Sequence, residues 1–245
     1  LGVEVIDDPQ IFLPTDTDIL TQVQNIVDEG ATIIYTNTLA TGPALVASTV
    51  ADLGLEDDVI LAGVNWVLDT SVGFLGQRSQ KANGMPAVDG MYGSMPFLWW
   101  TETSEPAVQF VISQYDANER TAAERNIAYL LTWGSADTLI EVYIQAVNEA
   151  GSLADVTGPQ IRDIMESMDY EVLGGLFTFN YPEGFRDATQ NRIAQLAFAN
   201  ADMSGPASSP DDALFIDDGS GGQLFVPIVV PLTDFQEAPN LRGGE

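Results

Sequence analysis

The side chains that carry most enzyme chemistry are missing from this chain of 245 residues. It has no histidine and no cysteine, so it has no imidazole base, no thiolate nucleophile and no ordinary zinc site. Asp and Glu are abundant, which leaves carboxylate catalysis, or a hard cation held by oxygens, open. No acidic pair is set apart by a motif. Asp217 and Asp218 lie in DDGSGG, whose spacing is not that of a calcium loop and predicts a hairpin turn. We therefore predict no catalytic residue, no metal site and no cofactor.

Residues suited to binding a ligand follow two of the predicted strands. After the strand TIIYT comes a small polar loop with Thr38 and Thr41, whose hydroxyls and helix-starting N–H groups suit an anion. After the strand VILAGV come Asn65, Trp66 and then Asp69. Ligands of open α/β sheets sit beyond the carboxyl ends of the strands, so we predict that these residues bind ligand. Structural alternatives stay open: threonines before a helix are more often caps, Asn65 suits an Asx turn, and Trp66 suits a cover over the core.

Strand and helix signals alternate through the first part of the chain. Gly2–Ile6 reads as a strand, and Asp18–Glu29 has its apolar residues on one helical face. Gly30 ends that helix, TIIYT reads as a buried strand, a second helix ends at Gly54, and VILAGV is the next strand. Such alternation with short connections predicts a parallel sheet covered on both faces.

A helical block and a strand-rich block follow. The long helix Ile127–Ala150 ends at Gly151 and is predicted to bury the face formed by Leu139, Ile140, Tyr143, Ile144 and Val147. Thr157 and Gln160 form a T-x-x-Q capping box that opens another helix. The last third predicts strands at Leu176–Asn180, Arg192–Phe198, Ala213–Ile216 and Gln223–Val230.

The charge and hydropathy of the chain exclude several classes of protein. With 36 acidic and 8 basic residues, the net charge is -28, which repels phosphate backbones, so we predict no nucleic-acid partner. No apolar run approaches the roughly 20 residues that a membrane helix needs. With 45% hydrophobic residues and a mean hydropathy of +0.07, there is ample material for one large domain or two lobes.

The order of motifs resembles a known family. GVEVIDD, TIIYTNT, ADLGLEDDVILAGVNW, VDGMYGSMPF, AYLLTWGSADTLIEVYIQAVNEAG and VLGGLFTFNYPEGF together are similar to the type I periplasmic binding proteins, in particular the leucine/isoleucine/valine (branched-chain amino acid) receptors of ABC importers. The resemblance implies an α/β fold of two Rossmann-like lobes, the first of them incomplete. It assigns residues 1–90 to the first part of the second lobe, 91–100 to a hinge crossing, 101–170 to the second part of the first lobe, and 171–245 to the return to the second lobe and the C-terminal tail.

The same resemblance implies a function. It predicts an extracytoplasmic solute-binding protein, periplasmic or at the cell surface and with a lipid anchor as one option. Such a protein binds a small polar or amphipathic ligand, such as an amino acid or a related carboxylate or amide, by hinge closure. The expected partners are the ligand, the membrane permease subunits of the ABC transporter, and a missing N-terminal segment of the same protein. Two alternatives stay open: a sensory or regulatory ligand-binding domain of the same fold, and a carboxylate-dependent hydrolase.

The resemblance adds two site residues and qualifies a third. Tyr129 and Trp133 lie where relatives carry a tyrosine-containing stretch at the edge of the cleft, so we predict that they contact ligand. As residues i and i+4 of a helix they share a face, which equally suits packing in the core. Asn65 stands where amino-acid-binding relatives often have an acidic residue for the ammonium group of the ligand, and this departure weakens the assignment to α-amino acids.

Overall fold

The computed structural model describes residues 3–6, 9–121, 124–180 and 190–237. The α helices are α1 Leu20–Asp28, α2 Thr41–Asp52, α3 Thr70–Leu75, α4 Pro106–Ala117, α5 Ile127–Ala150 and α6 Gly158–Glu166. The strands are β1 Ile33–Thr36, β2 Ile60–Gly63, β3 Tyr92–Ser94, β4 Asp169–Val172, β5 Phe177–Asn180, β6 Gln190–Asn191, β7 Ile193–Phe198, β8 Phe215–Asp217, β9 Gln223–Phe225, β10 Pro227–Pro231 and β11 Gln236–Glu237. None of the helices in these ranges is long and apolar enough to cross a bilayer.

The chain forms two compact units and passes between them three times. The first unit comprises Leu1–Ser94 and Ile193–Thr233, and the second comprises Met95–Arg192 and Asp234–Glu245. The first passage lies inside the range 91–100 that was predicted for a crossing; its role as a hinge stays a prediction. The chain returns to the first unit at Ile193, not at residue 171, because β4 and β5 pair with each other as an antiparallel hairpin within the second unit.

A mixed sheet forms the centre of the first unit. Its strand order is β1-β2-β3-β7-β10, with β1, β2 and β3 parallel and β7 antiparallel to both of its neighbours. Helices α1 and α2 pack on one face of this sheet, where the core consists of Ile19, Val23, Ile34, Val46, Val50 and Val59. Gly73 of α3 packs so closely on Pro227 of β10 that a Cβ on Gly73 would meet the proline side chain. Helix α3 therefore lies on the same face of the sheet. The expected α/β fold class is confirmed, with the helices of this unit on a single side.

The opposite face of this sheet is exposed along β1 and at the start of β2, which corrects two predictions. Within β1, Ile34 and Thr36 are buried, but Ile33 is 47% exposed and Tyr35 is 62% exposed. Ile60, beside Ile33 in β2, is 50% exposed. The expectation of a sheet covered on both faces is therefore wrong for the described residues, and TIIYT is not a fully buried strand. Local hydrophobicity identified the strand but not which of its faces would meet a helix.

The strand predicted at Gly2–Ile6 is not formed in the part that the structure describes. Residues 3–6 have no strand assignment, with Val3 70% and Val5 77% exposed, and Gly2 lies outside the described residues. The alternation of apolar residues is that of a strand, but among the described residues no strand pairs with this segment. Without a partner, strand propensity does not produce a strand.

Helix α5 organises the second unit. It has the bounds that the sequence predicted and ends at Gly151, whose φ of +84° suits glycine in a left-handed C-cap. The hairpin of β4 and β5 packs closely on α5. Val142 and Ala146 of α5 form a core with Ile164 of α6 and with Met168, which follows α6. The predicted capping box of Thr157 and Gln160 is present at the start of α6.

The buried face of α5 is not the predicted one. Leu139, Ile140, Tyr143 and Ile144 are 52%, 60%, 49% and 50% exposed, while the buried stripe is Leu130, Gly134, Thr138, Val142 and Ala146. Helix α5 is apolar around most of its circumference, so periodicity alone could not select a face. The stripe with the small residues Gly134 and Ala146 packs inward because it lets β5 and α6 approach closely.

Candidate functional site

The loops that follow β1 and β2 start side by side at the carboxyl edge of the sheet. The last residue of β1, Thr36, is in register with the last residue of β2, Gly63. A Cβ on Gly63 would lie 2.5 Å from the carbonyl oxygen of Thr36, so only glycine allows the two strand ends to approach this closely. The structure therefore brings the start of the loop carrying Thr38 next to the segment carrying Asn65 and Trp66.

The N-terminus of α2 opens at this edge without a side-chain cap. Its N-cap position is Ala40, and no side chain accepts a hydrogen bond from the first turn in the part that the structure describes. The hydroxyl of Thr38 lies 3.5 Å from the carbonyl of Leu39 and packs on Gly42, and Thr41 is the exposed first residue of the helix. The capping alternative for the threonines is therefore not observed. The N–H of Gly42 donates to Leu39 O at 2.8 Å, and Pro43 has no N–H, so of the first three helical residues only Thr41 offers an N–H group. This group and the positive end of the helix dipole suit a carboxylate.

Asn65 and Trp66 form the start of a 3-10 turn directly after β2. Both residues are half-buried. The backbone of this turn is held by Val64, whose N–H donates to Thr36 O at 3.1 Å, and by Val67, whose N–H donates to Val64 O at 3.0 Å. Among the described residues the side-chain amide of Asn65 makes no hydrogen bond, so an Asx turn is not formed. An amide without an internal partner at a strand end is suited to bind a ligand.

Asp69 has a structural task that its position in the sequence did not reveal. It is the N-cap of α3, its carboxylate accepts a hydrogen bond from the backbone N–H of Ser71 at 2.8 Å and another from the Ser71 hydroxyl, and the residue is only 4% exposed. This engagement favours a role in fixing α3 behind the turn over the predicted ligand contact.

The two aromatic residues predicted from the second unit belong to an aromatic cluster of that unit. The ring of Tyr129 lies 5.9 Å from that of Trp100 and 5.7 Å from that of Tyr115, and the ring of Trp133 lies 5.4 Å from that of Phe110. These contacts join α4 and α5. Edge-to-face packing of this kind accounts for both side chains within the unit. Their contact with a ligand stays a prediction.

A groove of about 410 Å³ runs along α2 and reaches the candidate edge at Thr41 and Gly42. Residues 12–17 form its opposite wall, and Ser48 and Arg78 lie farther along it. Arg78 is exposed and was not predicted. The available signal was its rarity: in a chain with only 8 basic residues, a cation that lines the same groove supplies charge that an anionic ligand needs.

A smaller cavity of about 160 Å³ lies at the other edge of the sheet, where β2 and β3 begin. It contains Lys81, whose ammonium group donates to the carbonyl of Asp89, and burial raises the pKa of the Asp89 carboxyl. Ligands of α/β sheets bind at the carboxyl ends of strands, so this cavity is not the primary candidate.

Comparison with known proteins decides the family. A sequence profile described as "Periplasmic binding protein" matches residues 1–206. The chain belongs to the periplasmic binding protein family. This confirms the resemblance stated above, and because the family is one of binding proteins and not enzymes, the prediction of a non-enzyme is confirmed with it. No curated protein sequence matches the chain significantly.

Solved structures support the type I fold of this periplasmic binding protein. A solute-binding protein from R. palustris in complex with 4-hydroxybenzoate is 14% identical with a TM-score of 0.58, and the match covers 91% of this chain and 51% of that one. A branched-chain amino acid ABC transporter protein from Thermus thermophilus with bound valine is 12% identical with a TM-score of 0.54, covering 90% and 50%. A type 1 periplasmic binding protein from Bordetella pertussis Tohama I is 12% identical with a TM-score of 0.54, covering 89% and 51%. The chain therefore spans about half the length of these structures, in agreement with the predicted incomplete lobe.

Proposed function

We propose that this periplasmic binding protein is the solute receptor of an ABC importer and that its ligand is a small carboxylate with an apolar body. The observation that carries the proposal is the carboxyl edge of the first unit, in a chain of this family. There the loop that leads into the uncapped N-terminus of α2 starts beside the segment with Asn65 and Trp66. Hinge closure, which the resemblance to this family implies, would capture the ligand.

The chemistry of the edge narrows the ligand class. The N–H of Thr41 at the start of α2 and the hydroxyls of Thr38 and Thr41 are donors, which suit a carboxylate. Trp66 offers an apolar ring to the body of the ligand. Asn65 is neutral, so it hydrogen-bonds a polar group but does not neutralise an ammonium ion. The relatives described above hold valine and 4-hydroxybenzoate, and both compounds combine a carboxylate with an apolar body.

Partners and location follow from the same proposal. A receptor of an importer works outside the cytoplasm and delivers its ligand to the membrane permease subunits. The net charge of -28 suits a protein that stays dissolved and does not adsorb to anionic lipid headgroups.

Isothermal titration of the complete protein tests the ligand class. The panel pairs each carboxylate with a matched compound that lacks it: valine with isobutylamine, and 4-hydroxybenzoate with phenol. Heat of binding with valine or 4-hydroxybenzoate, and none with its partner compound, is the expected result. Binding of the carboxylate-free compounds with equal affinity, or no binding across a wider panel of small carboxylates, would contradict the proposal.

A further inference from the structure

The groove beside α2 is long enough and large enough to hold a small molecule. We call it the α2 groove. One wall is the segment of residues 12–17, and the other is a face of α2 with Thr41, Leu45, Ser48 and Asp52. These positions are three or four residues apart, so they share one side of the helix along roughly 16 Å of its length. The volume of about 410 Å³ is within the usual range of small-molecule sites.

The floor of the α2 groove is apolar. It includes Leu45 of α2, Leu75 at the end of α3, and Phe12 of the opposite wall. Phe12 and Leu45 also pack on the core of the first unit, which fixes their positions. All three side chains are only half-buried. An apolar body that covers them removes apolar surface from water, and this stabilises a complex.

Arg78 supplies a positive charge without a partner. The chain has 36 acidic and 8 basic residues, yet the guanidinium of Arg78 makes no hydrogen bond or ion pair with any residue that the structure describes. By contrast, Arg120, Arg162 and Arg192 each pair with a carboxylate. Asp52 lines the groove as well but forms no ion pair with Arg78. The guanidinium is therefore available to an anion in the groove.

The backbone on both sides of Arg78 is held in place. Before it, the side-chain amide of Gln77 donates to Phe225 O at 2.9 Å and accepts from the Phe225 N–H at 2.7 Å. After it, Ser79 O accepts a hydrogen bond from the N–H of Ala87 at 2.9 Å. Because this backbone is already fixed, an anion that binds Arg78 has to order only the side chain, which lowers the entropy cost of binding.

We propose that the α2 groove is a second binding site, for a monocarboxylate with an extended apolar body. Arg78 binds the carboxylate, and the apolar floor packs on the body. One guanidinium balances one negative charge, and Asp16 and Asp52 also line the groove, so a dianion would meet repulsion there. The groove shares Thr41 with the proposed solute site, but neither Asn65 nor Trp66 lines it, so the two sites are separate.

Isothermal titration of the complete protein tests the ligand class. The probes are octanoate, octan-1-ol, which lacks the carboxylate, and acetate, which lacks the apolar body. We expect octanoate to bind at least about tenfold more tightly than either of the others. Equal binding of octan-1-ol would mean that apolar contact alone fills the groove, as in the docking of a protein segment, and would overturn the carboxylate assignment. No binding of octanoate would overturn the site itself.

Three variants locate the bound octanoate. Arg78→Gln should weaken its binding at least about tenfold and leave the melting temperature unchanged, because the side chain is exposed and has no partner among the described residues. Arg162→Gln is the matched control: it removes the same charge from an exposed side chain outside the groove and should bind octanoate like the wild type. Asn65→Ala should also bind octanoate normally. The opposite pattern, with a loss in Asn65→Ala and none in Arg78→Gln, would place octanoate at the end of β2 and overturn the second site.

Discussion

The phenol of Tyr170 donates a hydrogen bond to Oδ2 of Asp137 at 2.7 Å and so ties β4 to the middle of α5. The same oxygen accepts a second hydrogen bond, from the backbone N–H of Leu173 at 2.8 Å. Leu173 has a φ of +50°, a left-handed conformation that is costly for a leucine. Asp137 therefore holds the turn between β4 and β5 in place.

Replacing Tyr170 by phenylalanine should weaken the second unit and change its response to alkali. Loss of the hydrogen bond to Asp137 is expected to lower the free energy of unfolding by about 1 kcal/mol at neutral pH. Burial, together with the Asp137 carboxylate, raises the pKa of Tyr170 to about 12 from a usual value of 10.0. In the unfolded chain this phenol loses its proton first, so the wild-type protein loses stability as pH rises from 10.0 to about 12.

Urea unfolding at a series of pH values measures both effects. The difference in unfolding free energy between wild type and Tyr170→Phe isolates this one phenol from the other tyrosines. We expect that difference to be constant below pH 10.0 and to shrink above it, since only the wild type has the Tyr170 proton to lose. A difference that grows with pH would mean that the pKa is not raised.

A buried ion pair in the second unit should contribute far more to the free energy of unfolding than the exposed ion pairs do. The guanidinium of Arg192 donates to both oxygens of Glu102 and to the carbonyl of Phe97 at 3.0 Å, and it lies 4.3 Å from the ring centre of Phe235. Its side chain is 5% exposed. Arg192→Gln leaves the Glu102 carboxylate without its cation, so we expect a loss of about 3–5 kcal/mol in the free energy of unfolding.

Arg162→Gln is the control for that measurement. Arg162 pairs with Asp163, but the two side chains are 62% and 63% exposed, so solvent screens the pair. Its removal should leave the free energy of unfolding almost unchanged. Similar losses for the two variants in denaturant unfolding would show that burial does not set the strength of these pairs.

Neighbouring residues in the sequence predicted the type and bounds of the elements well, but they did not predict which face of each element is buried. The bounds of α5, its stop at Gly151 and the capping box of Thr157 and Gln160 depend on neighbouring residues, and the structure contains all of them. Which stripe of α5 is buried, and which face of β1 meets a helix, depends on segments distant in sequence. The hydrophobicity of Ile33 and Ile140 predicted that both side chains are buried, but both are exposed in the described part of the chain.

The close approach of α5 to β5 gives a sharp test of packing. A Cβ on Gly134 would lie 2.5 Å from Cε1 of Phe177, a distance that packed atoms do not tolerate. Gly134→Ala should therefore lower the free energy of unfolding by about 1–3 kcal/mol, although alanine favours helix. At Gly158 in the first turn of α6, a Cβ would meet nothing within 4 Å. Gly158→Ala should be neutral or slightly stabilising in thermal unfolding. Equal behaviour of the two variants would contradict the packing argument.

The candidate site was predictable to the extent that it follows strand ends. Thr38 and Asn65 were predicted as site residues because both come directly after a strand, and the register of Thr36 with Gly63 brings the starts of their loops together. Their contact with a ligand stays a prediction. Arg78 was missed because it follows α3 and no strand, and only the fold brings it to the groove beside α2. The buried cap formed by Asp69 was also missed, because an acidic residue after a strand has the same local pattern in both roles.

Removal of the Asn65 amide should weaken ligand binding without weakening the fold. This side chain is half-buried and has no hydrogen-bond partner among the described residues, so Asn65→Ala is expected to change the melting temperature of the unliganded protein little. If the amide bonds the ligand, its loss costs about 1–2 kcal/mol, or roughly 5–30-fold in Kd by isothermal titration. Asn148→Ala, on the exposed surface of α5, is the control and should bind with unchanged affinity. Unchanged binding by both variants would place the ligand away from the end of β2.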